Sequence, residues 1–192
     1  MNTGTSKNAG TDVNRWRLSD ENILPQNIKN NQRKSTGYEI YPSKSVGAGK
    51  IHTGYASLAN WIIDHKNVRI EGYIGIFWET VKTSLDAEFK SRKIAVKWTV
   101  LEEALKSAAD IQLMVDPFLG ESGSVWGRKA TLDLADFFEN GKLASMDISQ
   151  EADLNIAIGI GASLLPWDGP IIYLDIPKNE IQYRSRAGTC SN

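Results

Sequence analysis

The sequence predicts an α/β domain in which helices flank a parallel β-sheet. Segments typical of strands alternate with segments of helical periodicity, and this order builds a parallel sheet. One short β-type run, residues 68–72, leads through a glycine turn into an amphipathic segment. The chain has 192 residues, of which 41% are hydrophobic and 23% charged, as in globular proteins. We therefore expect one three-layer α/β domain with a tail.

Charge and composition limit the kinds of partner. The 22 basic and 23 acidic side chains leave a net charge of −1, so a nucleic-acid partner is not indicated. No apolar run approaches the roughly 18 residues of a membrane span, and the polar N-terminus lacks a signal-peptide segment. The single cysteine, Cys190, cannot form an intramolecular disulfide, which suits a reducing compartment. We expect a cytoplasmic protein without a membrane or nucleic-acid partner.

Residues 1–35 are predicted to form a flexible polar tail, and residues 36–192 the α/β domain. The tail is rich in Asn, Lys, Ser, Thr and Gly, and its few apolar residues follow no period. Such a segment cannot bury enough apolar surface to offset the entropy of ordering. Residues 38–41 alternate like a strand that stops at Pro42, and residues 47–50 are predicted to form a surface turn.

The first half of the domain is predicted as helix, strand, helix, strand, helix. Ser57 is expected to cap a helix that leads into the strand of residues 68–72. The next helix carries apolar residues at 3-to-4 spacing, namely Trp78, Val81, Leu85 and Phe89. Residues 93–98 read as a second strand. Thr99 and Glu102 have the spacing of a capping box, which predicts a helix from there to Pro117.

The second half contains a polar loop, two buried strands and a terminal helix. The glycine- and serine-rich residues 120–128 suggest a lid or binding loop, or a solvated excursion. A short helix is expected over residues 131–138. Residues 153–163 and 170–176 read as buried strands, and Pro177 begins a helix. Among single carboxylates, Asp168 fits a turn and Asp175 a helix cap.

The turn after residue 72 has the layout of a phosphate-binding loop but lacks its chemistry. A Walker A loop reads G-x-x-x-x-G-K-[ST]. When the first glycine of this motif is aligned with Gly72, Phe77 takes the place of the second glycine. Trp78 then takes the place of the lysine, and Glu79 the place of the Ser or Thr. Gly72, Gly75 and Thr80 remain candidate phosphate-binding residues at a helix N-terminus. The alternative is a tight turn with Trp78 packed inward.

Three further side chains are candidates for a site. Glu71, at the end of the opening strand, is a candidate catalytic base or magnesium contact, or alternatively a loop-bonding carboxylate. Arg184 and Arg186 are candidate phosphate ligands, because guanidinium groups bind phosphate oxygens in pairs. Alternatively, Glu180 and Arg184 form a surface i,i+4 pair. The segment 159–163 is rich in glycine and lacks a magnesium-binding acid, so it either admits a ligand at the carboxyl edge of the sheet or allows close packing.

The order of elements resembles P-loop kinases of the uridine kinase and phosphoribulokinase kind. The strands of residues 153–163 and 171–176 and the sequence Arg184-Ser185-Arg186 take the places of that family's last strands and arginine helix. Phrases such as Arg69-Ile70-Glu71-Gly72-Tyr73 and residues 177–188 are similar to the kinase-like domain ahead of the isomerase in bacterial class I mannose-6-phosphate isomerases. This resemblance implies a role in carbohydrate metabolism, a sugar phosphate or nucleotide ligand, and a C-terminal isomerase domain or partner.

The resemblance does not place isomerase chemistry in this chain. That chemistry needs a zinc cupin with several His and Glu or Gln ligands, whereas this chain has only His52 and His65, without metal spacing. No metal or other cofactor is therefore expected. The favoured function is a non-catalytic, kinase-like binding or regulatory domain. The alternatives are an active sugar or nucleoside kinase with a non-standard nucleotide loop, and a structural oligomerisation module.

Overall fold

The structure is a computed structural model in which residues 47–190 are described. The predicted tail of residues 1–35 and the predicted strand of residues 38–41 lie outside the described residues. One compact unit spans Tyr41–Asp175 and carries the sheet, and the described part of the other unit, residues 176–190, carries the last helix. The helices and strands in chain order are α1 Gly54–Ile63, β1 Asn67–Gly72, α2 Trp78–Ser91, β2 Val96–Val100, α3 Ala108–Val115, β3 Leu154–Ile158, β4 Ile171–Leu174 and α4 Lys178–Arg186.

The four strands form one parallel sheet in the order β2-β3-β1-β4. This confirms the predicted α/β class with a parallel sheet flanked by helices. All five residues of β3 are buried, as expected for a central strand. The expectation that residues 170–176 form a second buried strand is wrong, because β4 lies at the edge of the described sheet. Ile171 and Tyr173 are accordingly 46% and 58% exposed.

The larger apolar core lies between one face of the sheet and helices α1 and α2. Alternate residues of β1 and β3 point to this face, and they meet the apolar stripes of both helices, as the 3-to-4 spacing predicts. The buried members of this core are Ala59, Ile62, Val68, Ile70, Leu85, Phe89, Leu154, Ile156 and Ile158. The connection from β1 to β2 therefore crosses this face, since α2 is part of it.

The opposite face of the sheet is covered by short 3-10 helices and loops. Its apolar core combines Ala157 of β3 with the 3-10 helices Leu101–Ala104 and Ala162–Leu164, the ring of Phe138 and the side chain of Trp167. The connection from β3 to β4 belongs to this core. The crossovers that leave β1 and β3 therefore pass over opposite faces of the sheet.

The predicted continuous helix after Thr99 is wrong. Thr99 is the buried fourth residue of strand β2, so it belongs to the sheet and does not cap a helix. Only the 3-10 helix Leu101–Ala104 follows, and the chain is extended at Leu105, which forms a bridge with Phe138. A new helix, α3, starts after Ser107, whose hydroxyl accepts the Asp110 amide at 3.1 Å.

Two other predicted helices differ from the structure in where they begin, and one predicted helix cap is absent. Helix α1 follows Thr53, so Ser57 is an internal residue and not the cap. The short helix expected over residues 131–138 is a 3-10 helix at Leu134–Phe137. Helix α4 begins after Pro177, as predicted, and no side chain caps it, so Asp175 does not have the expected capping role.

Asp86 joins α2 to β2. Its carboxylate accepts the Trp98 indole N–H at 3.2 Å and pairs with Lys90 at 2.6 Å. The hydrogen bond with Lys90, and secondly that with Trp98, lowers the pKa of Asp86 below its ordinary value, although desolvation opposes the shift. A lowered carboxyl pKa stabilises the fold above the unfolded-state pKa, so this contribution is lost as acidification passes through the folded-state pKa.

Gly161→Ala should lower the free energy of unfolding much more than Gly123→Ala. Both glycines have positive φ, +90° and +86°, which costs an alanine about 1–2 kcal/mol. A Cβ at Gly161 would also collide with the buried ring of Phe138, whose Cε2 would be 2.8 Å away, whereas Gly123 has nothing within 4 Å. We expect overpacking to add about 1–3 kcal/mol at Gly161. Urea unfolding measures the difference, and equal losses would contradict the contact with Phe138.

Candidate functional site

The carboxyl ends of β1 and β3 form a topological switch point. The two strands are neighbours in the sheet, and the chain leaves them over opposite faces. In open α/β sheets, ligands bind in the crevice that such diverging loops leave beyond the strand ends. The fold thus indicates a candidate ligand site between the loop after Gly72 and the loop after Ile158.

Glu71 connects these two loops at the switch point. Its carboxylate accepts the backbone N–H groups of Gly72, Gly161 and Ser163, each at 3.0 Å, and the Ser163 hydroxyl at 2.9 Å. The side chain is only 7% exposed. Both oxygens are occupied by protein donors, so the loop-bonding alternative describes the observed geometry. A catalytic role for Glu71 stays a prediction.

The same face of β1 carries a second, partly exposed polar connection. The Arg69 guanidinium donates to the carbonyl oxygens of Leu165 at 3.0 Å and Gly169 at 2.9 Å. Both carbonyls belong to the segment that joins β3 to β4. Arg69 and Glu71, two residues apart in the strand, therefore hold the two ends of this segment against the sheet.

A crevice of about 480 Å³ opens above Glu71 at the carboxyl edge. Its walls come from the ends of β1 and β4, the segment after β3, and the 3-10 helix Leu134–Phe137. The lining residues are Glu71, Gly72, Tyr73, Ile74, Leu134, Ile160, Ser163 and Tyr173. Tyr73 and Tyr173 are 57% and 58% exposed. None of the described lining residues is a lysine or arginine.

The turn from β1 to α2 is filled by its own side chains. A Cβ at Gly72 would contact Ile76 Cδ1, Leu174 O and Trp78 Cη2, and Trp78 packs against the core of α1 and α2. Gly75 has φ +86°, and Thr80 is exposed in the first turn of α2. Trp78 therefore points inward, as the tight-turn alternative describes. Phosphate binding by Gly72, Gly75 and Thr80 stays a prediction.

Arg184 and Arg186 lie on α4, in the unit that is described separately. Arg184 Nε donates to Glu180 Oε1 at 3.2 Å, and both side chains are nearly buried, at 13% and 3% exposure. The i,i+4 alternative is thus observed, but as a buried pair and not a surface one. Arg186 is exposed on the same helix. Phosphate binding by either arginine stays a prediction.

The histidines lie elsewhere in the described structure. His65 stacks on Trp61 and its Nδ1 lies 2.7 Å from the Trp61 carbonyl oxygen, and His52 lines a separate crevice at the start of α1. Within residues 47–190, no group of three or more His, Cys, Asp or Glu side chains could hold a metal ion. No helix in this range is long and apolar enough to cross a membrane.

The sequence alone predicts some of the residues that line this crevice. Glu71, Gly72 and the segment that contains Ser163 are among its candidates at the carboxyl edge, whereas Tyr73 and Tyr173 are not among its candidate site residues. A signal was present, since Tyr73 directly follows the predicted strand of residues 68–72 and Tyr173 lies within the predicted strand of residues 170–176. The register pairs Tyr173 directly with Glu71, so the two residues point to the same face.

The chain matches a known protein family. The model of a family described as a domain of unknown function, DUF8485, matches residues 54–192. No curated protein and no solved structure matches the chain significantly.

Glu71→Ala should destabilise the sheet unit by about 3 kcal/mol or more. The substitution leaves the Gly161 amide and its neighbours without their acceptor, and a buried unsatisfied donor costs about 1–3 kcal/mol. Hydrogen exchange should show faster exchange at Gly161 and Ser163 than in the wild type. Glu79→Ala, at an exposed carboxylate eight residues later, is the control and should change stability by less than about 0.5 kcal/mol. Unchanged exchange at Gly161 in Glu71→Ala would contradict this role.

Arg184→Ala should reduce stability by about 3–5 kcal/mol, since it leaves the buried Glu180 carboxylate without its cation. Arg186→Ala on the same helix should have little effect because Arg186 is exposed. Thermal unfolding of both variants measures the difference. Equal, small shifts would show that the Glu180–Arg184 pair does not contribute to stability.

Proposed function

The chain belongs to the DUF8485 family, and we propose that it is a non-catalytic, kinase-like module that binds a small metabolite in the crevice above Glu71. A hexose or hexose phosphate is the ligand class that the resemblance to the mannose-6-phosphate isomerase kinase-like domain suggests. Binding would serve regulation or assembly of a carbohydrate-metabolism protein with an isomerase domain or partner.

The observation that carries this proposal is the position of the crevice. It lies beyond the carboxyl ends of parallel strands at the switch point, where α/β sheets bind ligands. Its volume of about 480 Å³ falls within the range of small-molecule sites. Its lining combines apolar side chains with a few polar groups, which is the usual composition of such sites.

Phosphoryl transfer is disfavoured by the residues of the β1–α2 turn. Catalysis of that reaction depends on cations that neutralise the transferred phosphoryl group and on a hydroxyl that holds magnesium. The Walker positions carry Phe77, Trp78 and Glu79 instead, and Trp78 is packed against the core. No specific observation favours the active-kinase alternative or the oligomerisation alternative.

Isothermal titration calorimetry with hexoses, their 6-phosphates and ATP-magnesium tests the proposal. We expect at least one hexose or hexose phosphate to bind with a millimolar or lower Kd. Tyr173→Ala should weaken this binding about tenfold, because the ring is a main wall of the crevice and an aromatic contact of this size contributes on the order of 1 kcal/mol or more.

Trp126→Ala is the matched control, since Trp126 is 82% exposed and does not line the crevice. It should leave the Kd unchanged. Absence of binding by all tested ligands at millimolar concentration would contradict the proposed function. Transfer of phosphate from ATP to a hexose by the purified chain would show instead that the protein is an active kinase.

A further inference from the structure

We infer that the crevice above Glu71 binds the uncharged, hydroxyl-bearing ring of its ligand and discriminates against a phosphate group. This inference rests on the proposed function and narrows its ligand class. The resemblance implies a sugar phosphate, whereas the charges and hydrogen-bond donors of the lining favour a ligand without a phosphate group.

The lining provides no positive charge for a phosphate. Glu71 is the one charged residue among the described lining residues. Arg69, two residues before it, directs its guanidinium to the carbonyl oxygens of Leu165 and Gly169 and is not part of the lining. A phosphate in this crevice would approach a carboxylate without a neighbouring cation, and such a like-charge approach is unfavourable.

The backbone donors of the crevice are already used. A phosphate is often held by the backbone N–H groups of glycine-rich loops, and Gly72, Gly161 and Ser163 could provide such groups. All three donate to Glu71 instead. The Glu71 carboxylate thus occupies the position from which an anionic ligand could otherwise accept hydrogen bonds from these amides.

The remaining groups suit a neutral ring with hydroxyl substituents. Tyr73 and Tyr173 expose aromatic surface and a phenolic hydroxyl, which can both donate and accept a hydrogen bond. The Ser163 hydroxyl donates to Glu71, so its oxygen lone pairs can accept from a ligand hydroxyl. Leu134 and Ile160 add apolar contact. A sugar ring offers matching C–H faces and hydroxyl groups.

Titration of the full chain with mannose, glucose and their 6-phosphates tests this inference. We expect each hexose to bind at least tenfold more tightly than its 6-phosphate in low-salt buffer. Tighter binding of a 6-phosphate would overturn the inference while the proposed binding function would stand. Failure of all four probes to bind would contradict the proposed function and, with it, the inference.

A variant that adds a positive charge to the crevice wall without altering the core gives a second test. Ile160→Lys replaces a side chain that is 39% exposed and lines the crevice. It should shift the preference at least tenfold toward the 6-phosphates. Leu113→Lys, at a side chain that is 71% exposed on α3 and outside the lining, is the control and should leave the preference unchanged. An equal shift in both variants would overturn the inference, because overall charge would then explain it.

Discussion

The carboxylate of Glu71 and its four donor groups determine the geometry of the carboxyl edge of the sheet. In a parallel sheet, neighbouring strands end side by side and their loops then diverge, so backbone amides at and beyond the strand ends need acceptors that the sheet does not supply. Glu71 supplies them for Gly72, Gly161 and Ser163. One side chain from β1 therefore fixes the loop after β3, and the crevice takes its shape from that loop.

Strand β1 has two chemically different faces because its residues alternate. Val68 and Ile70 point to the core beneath α1 and α2, whereas Arg69 and Glu71 point to the face that the β3–β4 segment covers. That segment contains only a three-residue 3-10 helix, so it has no long apolar stripe to bury. Hydrogen bonds from Arg69 and to Glu71 therefore hold it in place in addition to the apolar contacts of Ala162 and Trp167.

The sequence was sufficient for the features that repeat locally. The 3-to-4 spacing from Trp78 to Phe89 gives α2, and the apolar run around Ile156 gives the central strand β3. It was not sufficient where distant residues decide the structure. Thr99 and Glu102 fit a capping box, but pairing of β2 with β3 keeps Thr99 in the strand. Likewise, nothing near Glu71 indicates that its partners lie about ninety residues later.

The position of Trp78 explains why one substitution would not create a phosphate-transferring loop. Its indole packs against the core and, together with Ile76, fills the space beside Gly72. A lysine at this position would have to leave the core to reach a ligand, and the apolar contacts of the partly buried Trp78 would be lost. The amides of Gly161 and Ser163 would still donate to Glu71. Each of the two loops is therefore stabilised by side chains that occupy the places a phosphate and its cation would need, and this is why the function we propose is binding without phosphoryl transfer.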